Sequence, residues 1–129
     1  MNDSAQVAID AARRLGAEYA DIRISEYKRQ LLNTEDERVN NITDSKNVGF
    51  GVRVVAKGAW GFAGSSEINR EEIQRITKLA IDIAKASATT LRKPVRLTPE
   101  PVHQETFTTP YQIDPFSVEI DQKIGLLLE

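Results

Sequence analysis

A chain of 129 residues is close to the common size of one domain and leaves no room for two separately packed cores of ordinary dimensions. Its composition, 40% hydrophobic and 28% charged, excludes the disordered and fibrous classes of protein. Seventeen Lys and Arg against nineteen Asp and Glu provide no large positive field for nucleic-acid phosphates, so we expect no nucleic-acid partner.

The absence of cysteine excludes disulfides, thiolate nucleophiles and Cys-ligated metal sites, and it is typical of a reducing compartment. The first residues carry no basic side chain, and the apolar positions that follow are interrupted by Asp10, Arg13 and Arg14. This pattern fits neither a signal peptide nor a membrane span. The sequence therefore predicts a cytoplasmic location and no membrane partner.

The first predicted elements are a helix and a strand. Residues 4–15 have apolar side chains at helical spacing, with Asp3 or Ser4 as candidate N-cap and Gly16 where a C-terminal cap requires positive φ. From residue 19 to about residue 27 the apolar and polar side chains alternate, which is the period of a half-buried strand.

A predicted hairpin follows a polar stretch. Residues 28–44 are polar with few apolar anchors, and we expect two strands there, exposed on one face or placed at a sheet edge. Residues 48–56 are rich in β-branched side chains, Lys57 and Gly58 supply a turn, and residues 59–63 resume strand character. The pattern predicts a β-hairpin.

A second helix is predicted from about Arg70 to Ala88. Asn69 followed by Glu72 resembles a capping box with Asn in place of Ser or Thr. One narrow apolar face then repeats at helical spacing. That face consists of Ile73, Ile76, Ala80, Ile83, Ala84 and Ser87.

The carboxyl-terminal part of the chain has a different character. Five prolines between residues 91 and 116 prevent a long helix or a central strand. Ser117 can cap a new amphipathic run, and the sequence stops at Glu129 before that run has a C-terminal signal. We therefore predict a globular domain at 1–90, a Pro-rich extended linker at 91–116, and at 117–129 the start of a truncated helix leading to a missing carboxyl-terminal domain.

The order helix, strands, helix, with strands joined mostly by turns, favours the α+β class. We expect a two-layer sandwich in which two helices pack on a mainly antiparallel sheet of about four strands.

Residues that could carry chemistry are scarce. His103 is the only histidine, which excludes an HExxH-like helix and any zinc site with several imidazole ligands, and it lies in the Pro-rich segment. We expect no catalytic residue, no cofactor site and no metal site in this chain, and we interpret His103 as an exposed linker residue.

Two further patterns resemble functional sites but do not indicate one. Residues 49–51 begin like a dinucleotide fingerprint, but the third glycine position is Val54 and the segment continues as a strand. The acidic runs at 35–37 and 71–72 are interpreted as solvated faces, since neighbouring residues on a strand point apart and acids favour the first turn of a helix. A small enzyme acting through Asp or Glu alone is the least favoured hypothesis.

A candidate surface lies in the predicted hairpin. Trp60 and Phe62 have the same parity and so share one face of the strand, where they can be core aromatics or a contact surface. The glycines around them, Gly58 and Gly61 among them, allow another backbone to approach closely. We take Gly58, Trp60, Gly61 and Phe62 as a possible interface or cavity surface.

The order of four segments resembles a known family. The segments are GAEYADIR at 16–23, VGFGVRV at 48–54, GAWGFA at 58–63 and AIDIAKASA at 80–88, and the tail from 109 to 116 matches in kind. Together they resemble the amino-terminal domain of the TldD/PmbA family over nearly the whole chain.

The resemblance implies a family of peptidases and peptidase-like partners. TldD-type members carry a zinc-binding HExxxH helix in the carboxyl-terminal domain, and none of those residues is in this chain. TldD-type and PmbA-type members pair with each other, and the phrase AWGF at 59–62 is nearer to the TldD type. The family also carries the name of modulator of DNA gyrase, which the acidic composition does not support as direct DNA binding.

The leading hypothesis is a non-catalytic amino-terminal domain of a TldD/PmbA-type zinc metallopeptidase acting on peptides or unfolded proteins. In it the chain would help to shape a substrate cavity and a subunit interface with a homo- or heterodimeric TldD/PmbA-type partner. Zinc is implied only for the missing carboxyl-terminal domain, if the parent is of the TldD type. The alternative is a free-standing peptide-binding or assembly module that uses an exposed strand edge.

Overall fold

The computed structural model describes residues 2–129. Its elements, in chain order, are helix α1 (Asn2–Arg14), strands β1 (Tyr19–Glu35), β2 (Arg38–Ala56) and β3 (Ala59–Ser65), and helices α2 (Arg70–Ala88) and α3 (Ile120–Leu128). The strands form one antiparallel sheet in the order β1-β2-β3. The predicted α+β class is therefore confirmed, with three strands in place of about four.

The lower strand number has a local cause in the polar stretch 28–44. β1 does not stop near residue 27 but continues to Glu35, and β2 begins at Arg38 after a two-residue turn. Asp36 and Glu37 in that turn have φ of 50° and 58°, the left-handed pair of a type I′ hairpin turn. Two long strands thus replace the short ones that we expected, and polarity alone could not predict this because both strands are largely exposed here.

The chain forms two compact units. The first, which we call the core unit, comprises the residues up to Glu26 together with Asn47–Thr98. The second, the hairpin unit, comprises Tyr27–Lys46 and Pro99–Glu129.

The hydrophobic core of the core unit lies between the sheet and the helices α1 and α2. α2 packs on β3, and α1 packs against α2. Small alanines on both helices allow close approach to the strand side chains. The buried cluster consists of Ala8, Ala12, Phe50, Val52, Val54, Ala56, Ala63, Ile73, Ile76, Ala80, Ile81 and Ala84.

Helix α2 has the predicted limits. Asn69 has extended backbone angles, and its side chain accepts a hydrogen bond from the backbone N–H of Glu72 at 2.8 Å, as an N-cap requires. Inside the helix, Thr77 is fully buried and its hydroxyl donates to the carbonyl of Ile73 at 2.7 Å. This bond satisfies the hydroxyl without a partner from another element.

Two predicted turns are confirmed by their backbone angles. Gly16 follows α1 with φ of 85°, in the left-handed region where a glycine cap is favoured. Lys57 and Gly58 have φ of 52° and 71°, and they join β2 to β3 so that Ala56 pairs with Ala59. The tight turn aligns the β2-β3 hairpin in register along its whole length.

Residues 91–119, of which 91–98 belong to the core unit and the rest to the hairpin unit, contain no helix or strand. We predicted that Ser117 caps the following helix, and this prediction is wrong. The Ser117 hydroxyl instead donates to the carbonyl of Asp114 at 2.8 Å, and α3 begins at Ile120 after Glu119, which makes no side-chain capping bond. The division of the chain at residues 90 and 116 stays a prediction. Of the helices within residues 2–129, none is long and apolar enough to cross a membrane.

The first turn of α2 predicts a dependence of stability on pH. The guanidinium of Arg75 donates two hydrogen bonds of 2.7 Å to the carboxylate of Glu72. These bonds and a hydrogen bond from Ser65 lower the pKa of Glu72 to about 2. Because this folded-state pKa lies below the value of about 4.5 for a free carboxyl, the stabilisation is complete above about pH 4.5 and disappears as the pH falls toward 2.

We therefore expect Glu72→Gln to lower the urea midpoint at pH 7 and to have a smaller effect as the pH falls. Urea unfolding at several pH values, followed by the fluorescence of the sole tryptophan, Trp60, measures the difference. Glu71→Gln, one residue away in the same first turn, is the matched control. A Glu72→Gln effect that is the same at pH 7 and pH 3 would contradict the prediction.

Candidate interaction surface

The outer face of the sheet in the core unit carries exposed aromatic side chains. Along β3, alternate residues face the core and are buried, whereas Trp60 and Phe62 point the other way and remain 38% and 62% exposed. α1 and α2 bury their side chains with the inward residues of the strands, so neither helix covers this outer face. The two aromatics predicted to share a face therefore do so.

Three side chains, those of Tyr19, Asp21 and Arg53, hold Trp60 in place. The guanidinium of Arg53 donates to one carboxylate oxygen of Asp21 at 2.7 and 2.9 Å, and the hydroxyl of Tyr19 donates to the same oxygen at 2.8 Å. The Tyr19 and Trp60 rings meet edge to face at 5.9 Å, and the Arg53 guanidinium lies 5.2 Å from the centre of the Trp60 ring. The Arg53 cation, the Asp21 carboxylate and the rings of Tyr19 and Trp60 thus stabilise one another's positions across the three strands.

The electrostatics of this group follow from Asp21. The hydrogen bond that Tyr19 donates to this carboxylate, together with burial, raises the pKa of the Tyr19 hydroxyl above its usual value. The same carboxylate raises the pKa of Arg53. Both effects keep the protons on Tyr19 and Arg53, so the group holds structure and is not poised for proton transfer.

Phe62 lies over a glycine. In the β2-β3 register Phe62 is opposite Arg53, and Gly51 is opposite Gly64. A Cβ atom added to Gly51 would stand 2.8 Å from the Phe62 ring, so the ring occupies the space that this glycine leaves open. The Phe62 ring thus packs against β2 on the outer face, at a position where glycine leaves room for it.

The two predicted surface glycines are buried against their own chain. A Cβ atom on Gly61 would lie 1.9 Å from the carbonyl oxygen of Ala80 in α2. Gly58 accepts a hydrogen bond from the N–H of Val95 at 2.7 Å and donates one to the carboxylate of Glu18 at 3.1 Å. The close backbone approach that we expected is therefore made within the chain, and only Trp60 and Phe62 lie on the exposed surface.

Sequence reasoning missed Tyr19, Asp21 and Arg53 as members of this surface. The signal was the alternation along β1 and β2, which places these three side chains on the polar face. Alternation alone does not give the register between strands. It is this register that brings Arg53 next to Asp21, which lies 32 residues earlier in the chain.

Residues 2–129 contain no group of three or more His, Cys, Asp or Glu side chains that could hold a metal ion. His103 has its two ring nitrogens 3.9 Å from a carboxylate oxygen of Glu100 and 3.6 Å from one of Glu105. All three side chains are exposed, so this arrangement lacks the enclosed ligand set of a zinc site.

The chain is similar to known proteins in sequence and in fold. The family model for PmbA/TldA metallopeptidase domain 1 matches residues 20–84, just over half of the chain. A metalloprotease of Methanocaldococcus jannaschii is 28% identical over 112 residues, which cover 87% of this chain and 25% of that protein. A crystal structure of a candidate modulator of DNA gyrase from Bacteroides thetaiotaomicron has the same fold, with a TM-score of 0.64 and 22% identity, over 97% of this chain and 28% of that one. The chain thus spans about a quarter of the length of these relatives.

Proposed function

We propose that this chain, which belongs to the PmbA/TldD metallopeptidase family through that family's first domain, is the non-catalytic amino-terminal domain of a longer zinc metallopeptidase. The family match over residues 20–84 carries this proposal. It spans most of the core unit, from the start of β1 to the last buried turn of α2. The substrates of the parent protein would be peptides or unfolded proteins.

Zinc does not fit the residues of this chain. A catalytic zinc site needs three protein ligands, typically His, Cys or acidic side chains, around one open position. Within residues 2–129 no such group exists, and His103 is accompanied only by exposed carboxylates. The metal and the hydrolytic step would belong to another part of the parent protein, where zinc would polarise the scissile carbonyl and activate water.

The role left to this chain is to shape a surface. Trp60 and Phe62 expose apolar area, and the contacts among Tyr19, Asp21 and Arg53 fix the position of Trp60. A rigid aromatic surface contributes contact area at a low cost in conformational entropy, as expected for a cavity wall or a subunit interface. In this proposal the partner is a TldD/PmbA-type subunit, and the assembly is cytoplasmic.

One observation favours the alternative, a free-standing peptide-binding or assembly module. β3 is the last strand of the sheet, and one side of its backbone has no neighbouring strand among the described residues. An exposed edge of this kind can bind an extended segment by adding a strand. The sequence of the gene beyond codon 129 separates the two functions, because an HExxxH motif there supports the metallopeptidase and an immediate stop codon supports the module.

The proposed function predicts that the purified chain binds no stoichiometric zinc and cleaves no unfolded protein. Elemental analysis after dialysis, and incubation of the chain with zinc and an unfolded casein substrate, measure the two properties. The reason is the missing ligand set, since oxygen ligands alone suit calcium or magnesium better than zinc. One zinc per chain, lost in His103→Ala, would contradict the prediction, as would zinc-dependent cleavage.

A further inference from the structure

The chain leaves the core unit through a short segment that is held against the β2-β3 turn. Residues 91–98, which we call the exit segment, follow α2, contain no helix or strand and still belong to the core unit. Within this segment the backbone N–H of Val95 donates to the carbonyl of Gly58 at 2.7 Å. The exit segment is therefore anchored to the turn at a point beyond the end of α2.

Pro94 fills the space that Gly58 leaves open. A Cβ atom added to Gly58 would lie 2.7 Å from the Cβ of Pro94 and 3.3 Å from its Cα. Gly58 also has φ of 71°, so both its conformation and the contact with Pro94 require a glycine. The proline ring fixes its own φ and favours an extended backbone at Lys93, which lowers the entropy cost of docking the segment.

Glu18 completes the junction from the loop between α1 and β1. Its backbone N–H donates to the carbonyl of Val55 at 2.8 Å, which places Glu18 beside the end of β2. Its carboxylate accepts a hydrogen bond from the N–H of Gly58 at 3.1 Å. Both backbone groups of the buried Gly58 thus have partners from other parts of the chain. Because an unpaired buried backbone group costs stability, both partners help to hold the turn in this conformation.

The anchor is small compared with the core beside it. Ala56 and Ala59, on either side of the turn, are fully buried. Within residues 2–129, the bond from Val95 is the one hydrogen bond that residues 92–98 make, and Val95 is the only one of them that is partly buried. A segment with few buried contacts opens at a lower free energy than the core to which it is attached.

We propose that Glu18, Gly58 and residues 94–95 form a clamp that fixes the point at which the chain leaves the core unit, and that the clamp opens while the unit stays folded. In the closed state the fixed part of the chain extends to Val95. In the open state Gly58 stays in its turn, and the chain is free from the end of α2 onward. The connection after α2 thus has two lengths. This device belongs to the chain itself and does not depend on the proposed metallopeptidase function.

Hydrogen exchange of the Val95 amide, followed by NMR, measures how often the clamp opens. The chain contains a matched reference, because Val95 and Val102 both follow a proline and their amides therefore have nearly the same intrinsic exchange rate. Val102 is 94% exposed. We expect Val95 to exchange at least about tenfold more slowly than Val102, because its N–H is released only when the clamp opens.

A second reference distinguishes opening of the clamp from unfolding of the core unit. Val54 is fully buried in β2, in register with Gly61, and its amide exchanges only when the sheet comes apart. In low urea we expect the exchange of Val54 to accelerate and that of Val95 to stay nearly constant, because opening of a short segment exposes little surface.

Two outcomes in the wild-type chain would overturn the proposal. Exchange of Val95 as fast as that of Val102 would mean that no clamp forms. Exchange of Val95 that rises with urea as steeply as that of Val54 would mean that the segment is released only by unfolding.

A proline variant tests the packing on Gly58. Pro94→Ala removes the ring, and Pro101→Ala in the same protein keeps the two amides matched, since both valines then follow an alanine. We expect the ratio of the Val102 exchange rate to the Val95 exchange rate to fall about two- to fivefold, because the segment loses its preset backbone.

A Glu18 variant tests the other side of the junction. Glu18→Ala removes the acceptor for the N–H of Gly58 and should lower the same ratio of exchange rates. Glu18→Gln retains a side-chain oxygen as acceptor and is the control. Thermal midpoints measured by Trp60 fluorescence establish that the variants remain folded. The wild-type ratio in both the proline variant and Glu18→Ala would contradict the clamp.

Discussion

Gly61→Ala is expected to lower the free energy of unfolding of the core unit by about 3 kcal/mol or more. The added Cβ would stand 1.9 Å from the carbonyl oxygen of Ala80, 2.7 Å from the backbone nitrogen of Ala84 and 2.9 Å from its Cβ. Backbone atoms of a helix cannot rotate aside as a side chain can. α2 would have to move as a whole, which would open the core between the helix and β3.

Urea unfolding followed by Trp60 fluorescence measures this loss, because Trp60 is the only tryptophan and lies in the core unit. The matched control is Gly125→Ala in α3, where an added Cβ meets nothing within 4 Å. Alanine favours a helix over glycine, so this control should leave the Trp60 transition unchanged or slightly stabilised. A Gly61→Ala protein with the wild-type midpoint would refute the packing of α2 on β3 described above.

Ile76→Ala is expected to cost about 2 to 5 kcal/mol of unfolding free energy, the range for truncation of a buried isoleucine. Ile76 is 2% exposed and belongs to the core cluster between α2 and the strands. The substitution removes apolar contacts and leaves a cavity that the close-packed alanines around it cannot fill. Chemical unfolding with the same fluorescence signal gives the difference.

The same helix supplies the control for this prediction. Ile83 is 39% exposed, and Ile83→Ala makes the same chemical change at a position that is only partly buried. We expect a loss below about 1 kcal/mol there. Similar losses at the two positions would mean that Ile83 faces the core as well, which would contradict its exposed position on α2.

The asymmetry of the sheet links these stability predictions to the proposed role. One face is filled by α1 and α2 through alanines and glycine, which brings the helices close enough to exclude water. The other face retains Trp60, which Tyr19 and Arg53 contact, and Phe62, whose ring lies over Gly51. Variants of the inner face should therefore change stability, whereas Trp60 and Phe62 are available for binding.

Local signals predicted several elements well. The Asn69 cap and the apolar repeat predicted α2 with its observed limits, because capping and helical periodicity are properties of neighbouring residues. Lys57 and Gly58 predicted the β2-β3 turn, and Gly16 predicted the end of α1, since a left-handed backbone is favoured at glycine. In each case the residues that form the structure lie within a few positions of one another.

Other features were decided by contacts between distant residues. The predicted number of strands, about four, was slightly too high. Residues 28–44 are too polar to show a burial pattern, and their pairing depends on the turn at Asp36 and Glu37. Ser117 was predicted as a cap, but its hydroxyl bonds to Asp114, which competes locally with the helix start.

The α+β class, the family of the chain and the scarcity of residues for catalysis could all be predicted from the sequence, because composition and the order of local motifs contain this information. Contacts between distant residues determine that Gly61 packs under α2 whereas Phe62, the next residue in the chain, lies outside. They also bring Arg53 to Asp21 beside Trp60. The physical reason is register: the alternation of a strand assigns side chains to two faces, but only pairing and helix packing determine which face is buried.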